Sequence, residues 1–143
     1  MTNETTPIHR PVFLLLLGIV SILANSVYII IYIFLLSGIS DNSFLYTLPV
    51  IDVIIDEGLH GNSLFFLLEI LLHFAAIFSI TLLIRMRRAG FYSYLAVQTA
   101  LLALPFLSLR SLGISYLFMS LAVSLIFSLL FIFLFALYLK KMR

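Results

Sequence analysis

The chain has 143 residues, of which 64% are hydrophobic and only 10% are charged. Because soluble domains average about 25% charged residues, this composition excludes a soluble domain and indicates one compact membrane unit. The absence of cysteine excludes disulfides, thiolate metal sites, iron–sulfur clusters and a cysteine nucleophile. The net charge of +2 comes from Lys and Arg residues that flank apolar runs, so we expect no nucleic-acid-binding face.

Four long apolar runs are predicted to be helices that cross the bilayer. They cover about residues 12–36, 63–84, 91–109 and 114–139, and Glu69 is the one charged residue inside them. A helix of about 20 apolar residues crosses a hydrocarbon core of about 30 Å, and a helix satisfies its own backbone hydrogen bonds in lipid. The sequence therefore predicts an all-α membrane protein, an antiparallel four-helix transmembrane bundle formed as a single domain over residues 1–143.

The first run carries a row of small and polar residues at spacings of three and four, which places them on one face of a helix. In membranes, small and polar residues mark the faces on which helices pack. We therefore expect this row, the Gly18–Tyr32 seam, to contact other helices. Its members are Gly18, Ser21, Asn25, Tyr28 and Tyr32.

The loop at residues 37–62 is the one long connection, and it contains a predicted short outer interfacial helix at about residues 49–58. Asp52 and Asp56 are four residues apart and share a helical face, as is typical of a helix lying on the outer membrane surface. With Glu57 and His60 they form an outer acidic cluster. Such side chains can bind a divalent cation or dock a partner or a cationic solute, but a solvated face is their more common role, and we predict no metal site.

Glu69 and His73 are one helical turn apart in the second run. At a rise of about 1.5 Å per residue, Glu69 lies about 9 Å and His73 about 15 Å below the start of the run at Ser63. His73 is therefore predicted to lie near the bilayer midplane.

The same counting predicts a polar layer across the centre of the bundle. Each of the four helices brings a polar residue to this depth, and Gln98 is a further polar candidate in the third run. The predicted layer consists of Asn25, His73, Thr99 and Ser124, with Tyr28 and Glu69 one turn above.

Two interpretations of Glu69 and His73 stay open. An ionisable group in mid-bilayer costs about 2.5–3.5 kcal/mol on insertion scales, so we expect both side chains to be neutral and hydrogen-bonded. The pair either links helices, or it forms a proton relay, an ion or substrate path, or a quinone or lipid headgroup site. A di-iron bundle needs more carboxylates, and His9 and His60 lie far from the midplane, so we predict no metal, no haem or other cofactor, and no catalytic residue.

Basic residues cluster on one side of the predicted bundle. Seven of the eight fall there if four spans alternate, and the positive-inside rule then places both termini in the cytoplasm. These side chains are also suited to anionic lipid headgroups. They are Arg10, Arg85, Arg87, Arg88, Lys140, Lys141 and Arg143.

Two segments resemble those of small four-span bacterial integral membrane proteins. In that group an Arg-Pro pair opens the first helix, as in "HRPVFLLLLGI" at residues 9–19, and a basic turn with Gly-Phe-x-x-Tyr opens the third, as in "RMRRAGFYSYLAVQ" at residues 85–98. The resemblance implies four spans in a bacterial inner membrane. It implies no activity, and it assigns nothing to Glu69 or His73.

The leading hypothesis is a non-enzymatic integral membrane subunit or homo-oligomer. It would pack in the lipid bilayer against its own copies or partner subunits through the Gly18–Tyr32 seam and a serine face of the fourth run, at Ser120, Ser124 and Ser128. The competing hypothesis is a proton-coupled transporter, channel or pore that uses Glu69 and His73. A quinone-linked membrane enzyme is a third, weaker alternative.

Overall fold

The structure, a computed structural model, describes residues 11–37, 63–108 and 114–142, without the side chains at 106, 108, 114–121, 123 and 124. These residues form four α-helices and no strand: α1 is Val12–Leu36, α2 is Ser63–Ile84, α3 is Arg88–Ser108 and α4 is Ile114–Ala136. A 3₁₀ turn, Leu139–Lys141, follows α4. The predicted all-helical class is confirmed, and α1 and α2 have the predicted bounds.

The other two helices differ from the predicted runs at one end each. α3 begins at Arg88 rather than residue 91, and α4 ends at Ala136 rather than residue 139. The predicted interfacial helix at residues 49–58 lies outside the described residues. So does the outer acidic cluster, together with Arg10 and Arg143.

α1 and α2 are long and apolar enough to cross a membrane. In the most apolar stretch of each helix, only 33% of the residues of α1 and 39% of those of α2 are buried inside the protein. The core helix of a soluble protein is mostly buried, whereas these two present rows of large apolar side chains to their surroundings, such as Leu23 and Phe78. Such a surface is typical of helices in lipid.

α1 and α2 pack antiparallel along their length. Gly18 lies against Ile84, Asn25 bonds to His73, and the ring of Tyr32 contacts that of Phe66. In these three contacts the residue number in α1 rises while that of its partner in α2 falls, so the two helices run in opposite directions. The Gly18–Tyr32 seam therefore faces α2 of the same chain.

A three-residue turn connects α2 to α3. Met86 is in the left-handed region at φ 59°, and its amide donates to the carbonyl of Leu83 at 2.8 Å. Gly90 then passes so close to α2 that a Cβ there would lie 2.6 Å from the Leu83 nitrogen. The absent side chain allows α3 to fold back tightly against α2.

α3 and α4 are antiparallel as well. Gln98 bonds to Ser128, Tyr94 packs edge-on against Phe135, and the Arg88 Nε donates to the Met142 carbonyl at 2.9 Å. At this same end the chain that follows α4 meets α1, where the rings of Phe13 and Tyr138 are 6.3 Å apart.

Two apolar clusters fill the described interior, and polar groups lie between them. The first joins the later turns of α1 to the start of α2; the second lies at the other end and includes residues of all four helices. Ser21, Asn25, His73 and Gln98 are buried between the two clusters, with Glu69 one turn from His73 toward the first. The fold thus holds a polar layer inside an apolar protein.

Candidate functional site

A cavity of about 430 Å³ lies at the polar layer and is lined by all four helices. α1 and α2 supply most of its polar groups, and α3 and α4 supply most of its apolar wall. The residues that bear on its chemistry are Asn25, Tyr28, Tyr32, Glu69, His73, Tyr94, Gln98, Phe127, Ser128 and Phe131.

Asn25 positions the imidazole of His73. Its Nδ2 donates to the carbonyl of Ser21 at 2.7 Å, which leaves Oδ1 as the acceptor facing His73 Nδ1 at 2.8 Å. An amide oxygen only accepts, so the hydrogen-bond pattern assigns the proton to Nδ1. The depth count predicted that these two residues meet, and the structure has this contact.

Two tyrosines of α1 hold the His73 ring in place. The Tyr28 ring is nearly parallel to it, at 3° and 5.1 Å between centroids, and the Tyr32 ring lies 5.8 Å away. Stacking of this kind contributes about 0.5–1.5 kcal/mol for each aromatic pair beyond area burial. His73 is therefore fixed both by its Nδ1 bond and by its ring faces.

Glu69 differs from Asn25 and His73 in its hydrogen bonding. Its side chain is only 3% exposed, and its Oε2 lies 3.8 Å from His73 Nε2. That distance is too long for a hydrogen bond. No described residue donates a hydrogen bond to the carboxyl group, yet neither oxygen is sealed off. The carboxyl group instead faces the cavity.

The geometry of the pair defines a place for one proton. With Nδ1 protonated, a neutral imidazole has its lone pair on Nε2, which faces the Glu69 carboxyl group. A proton on either side makes the pair neutral overall, whereas its removal leaves one negative charge beside the cavity. The site can therefore exchange a proton, or hold a cation in place of that proton.

The opposite wall carries a second polar group of residues. Tyr94 lies beside the side chains of Ser21 and Gln98, and Gln98 Oε1 accepts a hydrogen bond from Ser128 Oγ at 3.0 Å. Gln98 was among the predicted site residues; Tyr32, Tyr94 and Ser128 were not. Tyr94 is four residues before Gln98, so their shared helical face was the available signal.

Thr99 does not join the polar layer. It is exposed, and its hydroxyl donates to the carbonyl of Leu95 in its own helix at 2.9 Å. Gln98, one position earlier, turns inward in its place. The side chain of Ser124 is outside the described set, so its predicted place in the layer stays a prediction.

The predicted lipid-facing basic residues that the structure describes are all exposed. Arg85, Arg87, Lys140 and Lys141 are exposed at the end where α3 and α4 meet the basic turn. Arg88 is exposed as well, and its Nε also donates to the Met142 carbonyl. Its guanidinium ties the start of α3 to the chain that follows α4.

Of the described residues that line the cavity, two are His, Cys, Asp or Glu: Glu69 and His73. Among the described residues there is no group of three or more His, Cys, Asp or Glu side chains that could hold a metal ion. Glu69 and His73 form an ionisable pair beside a largely apolar space. Comparison with protein-family models, with curated proteins and with solved structures gives no match to this chain.

Proposed function

We propose that this chain is a four-span membrane protein that conducts protons across the bilayer, with Glu69 and His73 as the proton site. One observation carries the proposal: the buried Glu69 carboxyl group faces a cavity of about 430 Å³ without a hydrogen bond to any described residue. An ionisable group inside a membrane segment marks an ion or substrate path by default.

The contrast between Asn25 and Glu69 favours transport over a purely structural link. Asn25 has a partner for both its amide nitrogen and its amide oxygen, as a group that joins two helices should. Glu69 has no such partner among the described residues. Placing a carboxyl group in a membrane helix costs free energy. Without a structural partner to offset that cost, a function such as proton exchange accounts for the residue.

The polar seams give less support to the packing-subunit hypothesis than the sequence suggested. That hypothesis rested on groups that seek partners in other chains. Gly18 and Asn25 contact α2, and Ser128 contacts α3, all within one chain. These three seam residues thus have partners within their own chain.

The proposed topology places both termini in the cytoplasm of a bacterium, with the chain in its inner membrane. The shortest helix, α3, has 21 residues, or about 31 Å at the usual rise, so each helix is long enough to span. Arg85, Arg87, Lys140 and Lys141 are exposed at one end, which supports a cytoplasmic assignment for that end. Ser37 lies at the other end of α1.

The test is proton flux in liposomes. The purified protein is reconstituted, a membrane potential is imposed, and internal pH is followed with a pH-sensitive dye. We expect Glu69→Gln to reduce the flux to that of protein-free liposomes, since the amide cannot carry the proton. His73→Ala should change the pH dependence of the flux, because the group next to the carboxyl is lost.

Thr99→Val is the matched control, since Thr99 is exposed and outside the cavity. All variants are compared by helical content and by elution volume, so that loss of flux is separated from loss of fold. A parent protein without flux, or a Glu69→Gln protein with parental flux, would contradict the proposal.

A further inference from the structure

The described walls of the cavity contain one acid and no fixed positive charge. Glu69 supplies the acid, and none of the described lining residues is Lys or Arg. Once the proton leaves the Glu69–His73 pair, the negative charge has no countercharge on these walls. A positive charge from outside the protein is then the group that matches the cavity.

Aromatic rings surround the same space. Tyr28, Tyr32 and Tyr94 line it from α1 and α3, and Phe127 and Phe131 line it from α4. The faces of such rings attract organic cations through the negative face of their quadrupole, most strongly where water is excluded. A single acid among aromatic rings suits a cation with delocalised or shielded charge better than a small hydrated ion.

The cavity reaches the surface between α1 and α4 at apolar residues. Val20 of α1 and Phe127 of α4 both line it, and they are 55% and 56% exposed. A lining residue with that exposure marks where the cavity meets the surroundings. In the proposed topology the surroundings of these mid-helix positions are lipid tails, so the opening admits molecules that dissolve in the bilayer.

We propose that the cavity binds a lipophilic organic monocation, which reaches it from the lipid between α1 and α4 and exchanges for the proton of the Glu69–His73 pair. This inference rests on the proposed function and names the class of solute that competes for the same proton site. The volume of about 430 Å³ falls within the range of about 300–1,000 Å³ typical of small-molecule sites.

The exchange conserves charge. One proton leaves the pair to water as one monocation moves next to the carboxylate, so the cavity stays neutral in both states. The titratable groups that face Glu69 are Tyr28 and Tyr32 from α1, His73 from α2 and Tyr94 from α3; the described part of α4 adds none. Proton and cation therefore compete for one negative charge.

Anions and divalent metal ions fit the same walls poorly. An anion would lie beside the Glu69 carboxylate without a basic residue among the described walls to offset it. Calcium takes about six to eight oxygen ligands, whereas the described walls offer one carboxylate, and the amide oxygens of Asn25 and Gln98 already accept hydrogen bonds. Charge and shape together select the organic cation.

The experiment uses two probes of nearly the same shape and opposite charge, tetraphenylphosphonium and tetraphenylborate. Binding to the detergent-solubilised full chain is measured by equilibrium dialysis at a series of pH values, with protein-free micelles subtracted. We expect saturable binding of the phosphonium only, and weaker binding as the pH falls. In weak buffer, an indicator dye should record about one proton released for each phosphonium bound, as competition for one charge requires.

Glu69→Gln tests the assignment to this site. The amide keeps the shape of the carboxyl group but not its charge, so phosphonium affinity should fall by at least about tenfold, which is the loss expected for one charge-assisted contact. Thr99→Val should bind as the parent does. Equal binding of both probes, or unchanged phosphonium affinity in Glu69→Gln, would overturn the inference.

The two proposals can fail separately. Potential-driven proton flux that depends on Glu69, with no saturable phosphonium binding, removes the solute class and leaves the proton site. Phosphonium binding that depends on Glu69, with no proton flux from the parent, removes transport and leaves a cation-binding site. Because the parent protein is tested with both probes, a misfolded variant cannot hide either result.

Discussion

Asn25 is the residue that makes the environment of His73 specific. Its amide joins the Ser21 carbonyl to His73 Nδ1, and so turns Nε2 toward Glu69. The function assigned to the ionisable pair therefore depends on a neutral residue of another helix. Asn25 acts as a positioning residue rather than as a carrier of the proton.

Asn25→Ala should lower stability by about 0.5–2 kcal/mol, the range measured for hydrogen bonds between membrane helices. The reason is that His73 Nδ1 loses its acceptor while it stays buried. The measurement is unfolding by a denaturing detergent, followed by circular dichroism. Thr99→Ala is the control, since that hydroxyl bonds only within its own helix. Equal stability of the parent and Asn25→Ala would contradict the structural role of Asn25.

The residue scale also shows why the polar layer was only partly predictable. Depth follows from counting residues, because every helical residue advances the chain by the same rise. This count put Asn25 and His73 at the same depth, where the structure has their hydrogen bond. Gln98 and Thr99 differ by one rise and by about 100° around the helix axis. Which of them points inward depends on the rotation of α3 against α2, and that rotation is set by packing that a polar count does not contain.

At the scale of elements, the turn between α2 and α3 determines how closely the two helices pack. The third predicted run begins at residue 91, which leaves Gly90 in the turn. In the structure α3 already includes it, and its missing side chain admits the backbone at Leu82 and Leu83. The same glycine thus has a packing role, which is why the predicted start of α3 was three positions late.

Gly90→Ala should destabilise the protein by about 1–3 kcal/mol, the usual cost of overpacking. The new Cβ would lie 2.6 Å from the Leu83 nitrogen, and backbone atoms cannot rotate away. Gly18→Ala should cost less, because its Cβ would meet the movable end of the Ile84 side chain. Unfolding in denaturing detergent compares the two, and a larger loss for Gly18→Ala would contradict this account.

At the scale of the whole molecule, charge and polarity divide the protein into zones. Exposed basic residues are at one end, an apolar cluster follows, then the polar layer with its cavity, then a second apolar cluster. The sequence predicted the basic end and the polar layer, because both follow from linear position. It did not predict the cavity, because an empty volume depends on how far α1 and α4 are apart at mid-helix, and linear position does not give that separation.

The proposed topology predicts which end reacts with a reagent from outside the cell. The chain has no cysteine, so a single introduced thiol is the one target of a membrane-impermeant maleimide. Ser37→Cys, at the far end of α1, should react in intact cells whose outer membrane is permeabilised. Arg87→Cys, in the basic turn, should react only after the inner membrane is opened. The reverse pattern would place the basic end outside the cytoplasm.

The aromatic lining of the cavity has a spectroscopic consequence. The chain contains seven tyrosines and no tryptophan, and Tyr28, Tyr32 and Tyr94 all border the cavity. Near-ultraviolet absorbance and emission of the native protein therefore come largely from tyrosine, with nearly half of these chromophores at one site. Occupancy of that site can be followed by the intrinsic optical signal of the unlabelled chain.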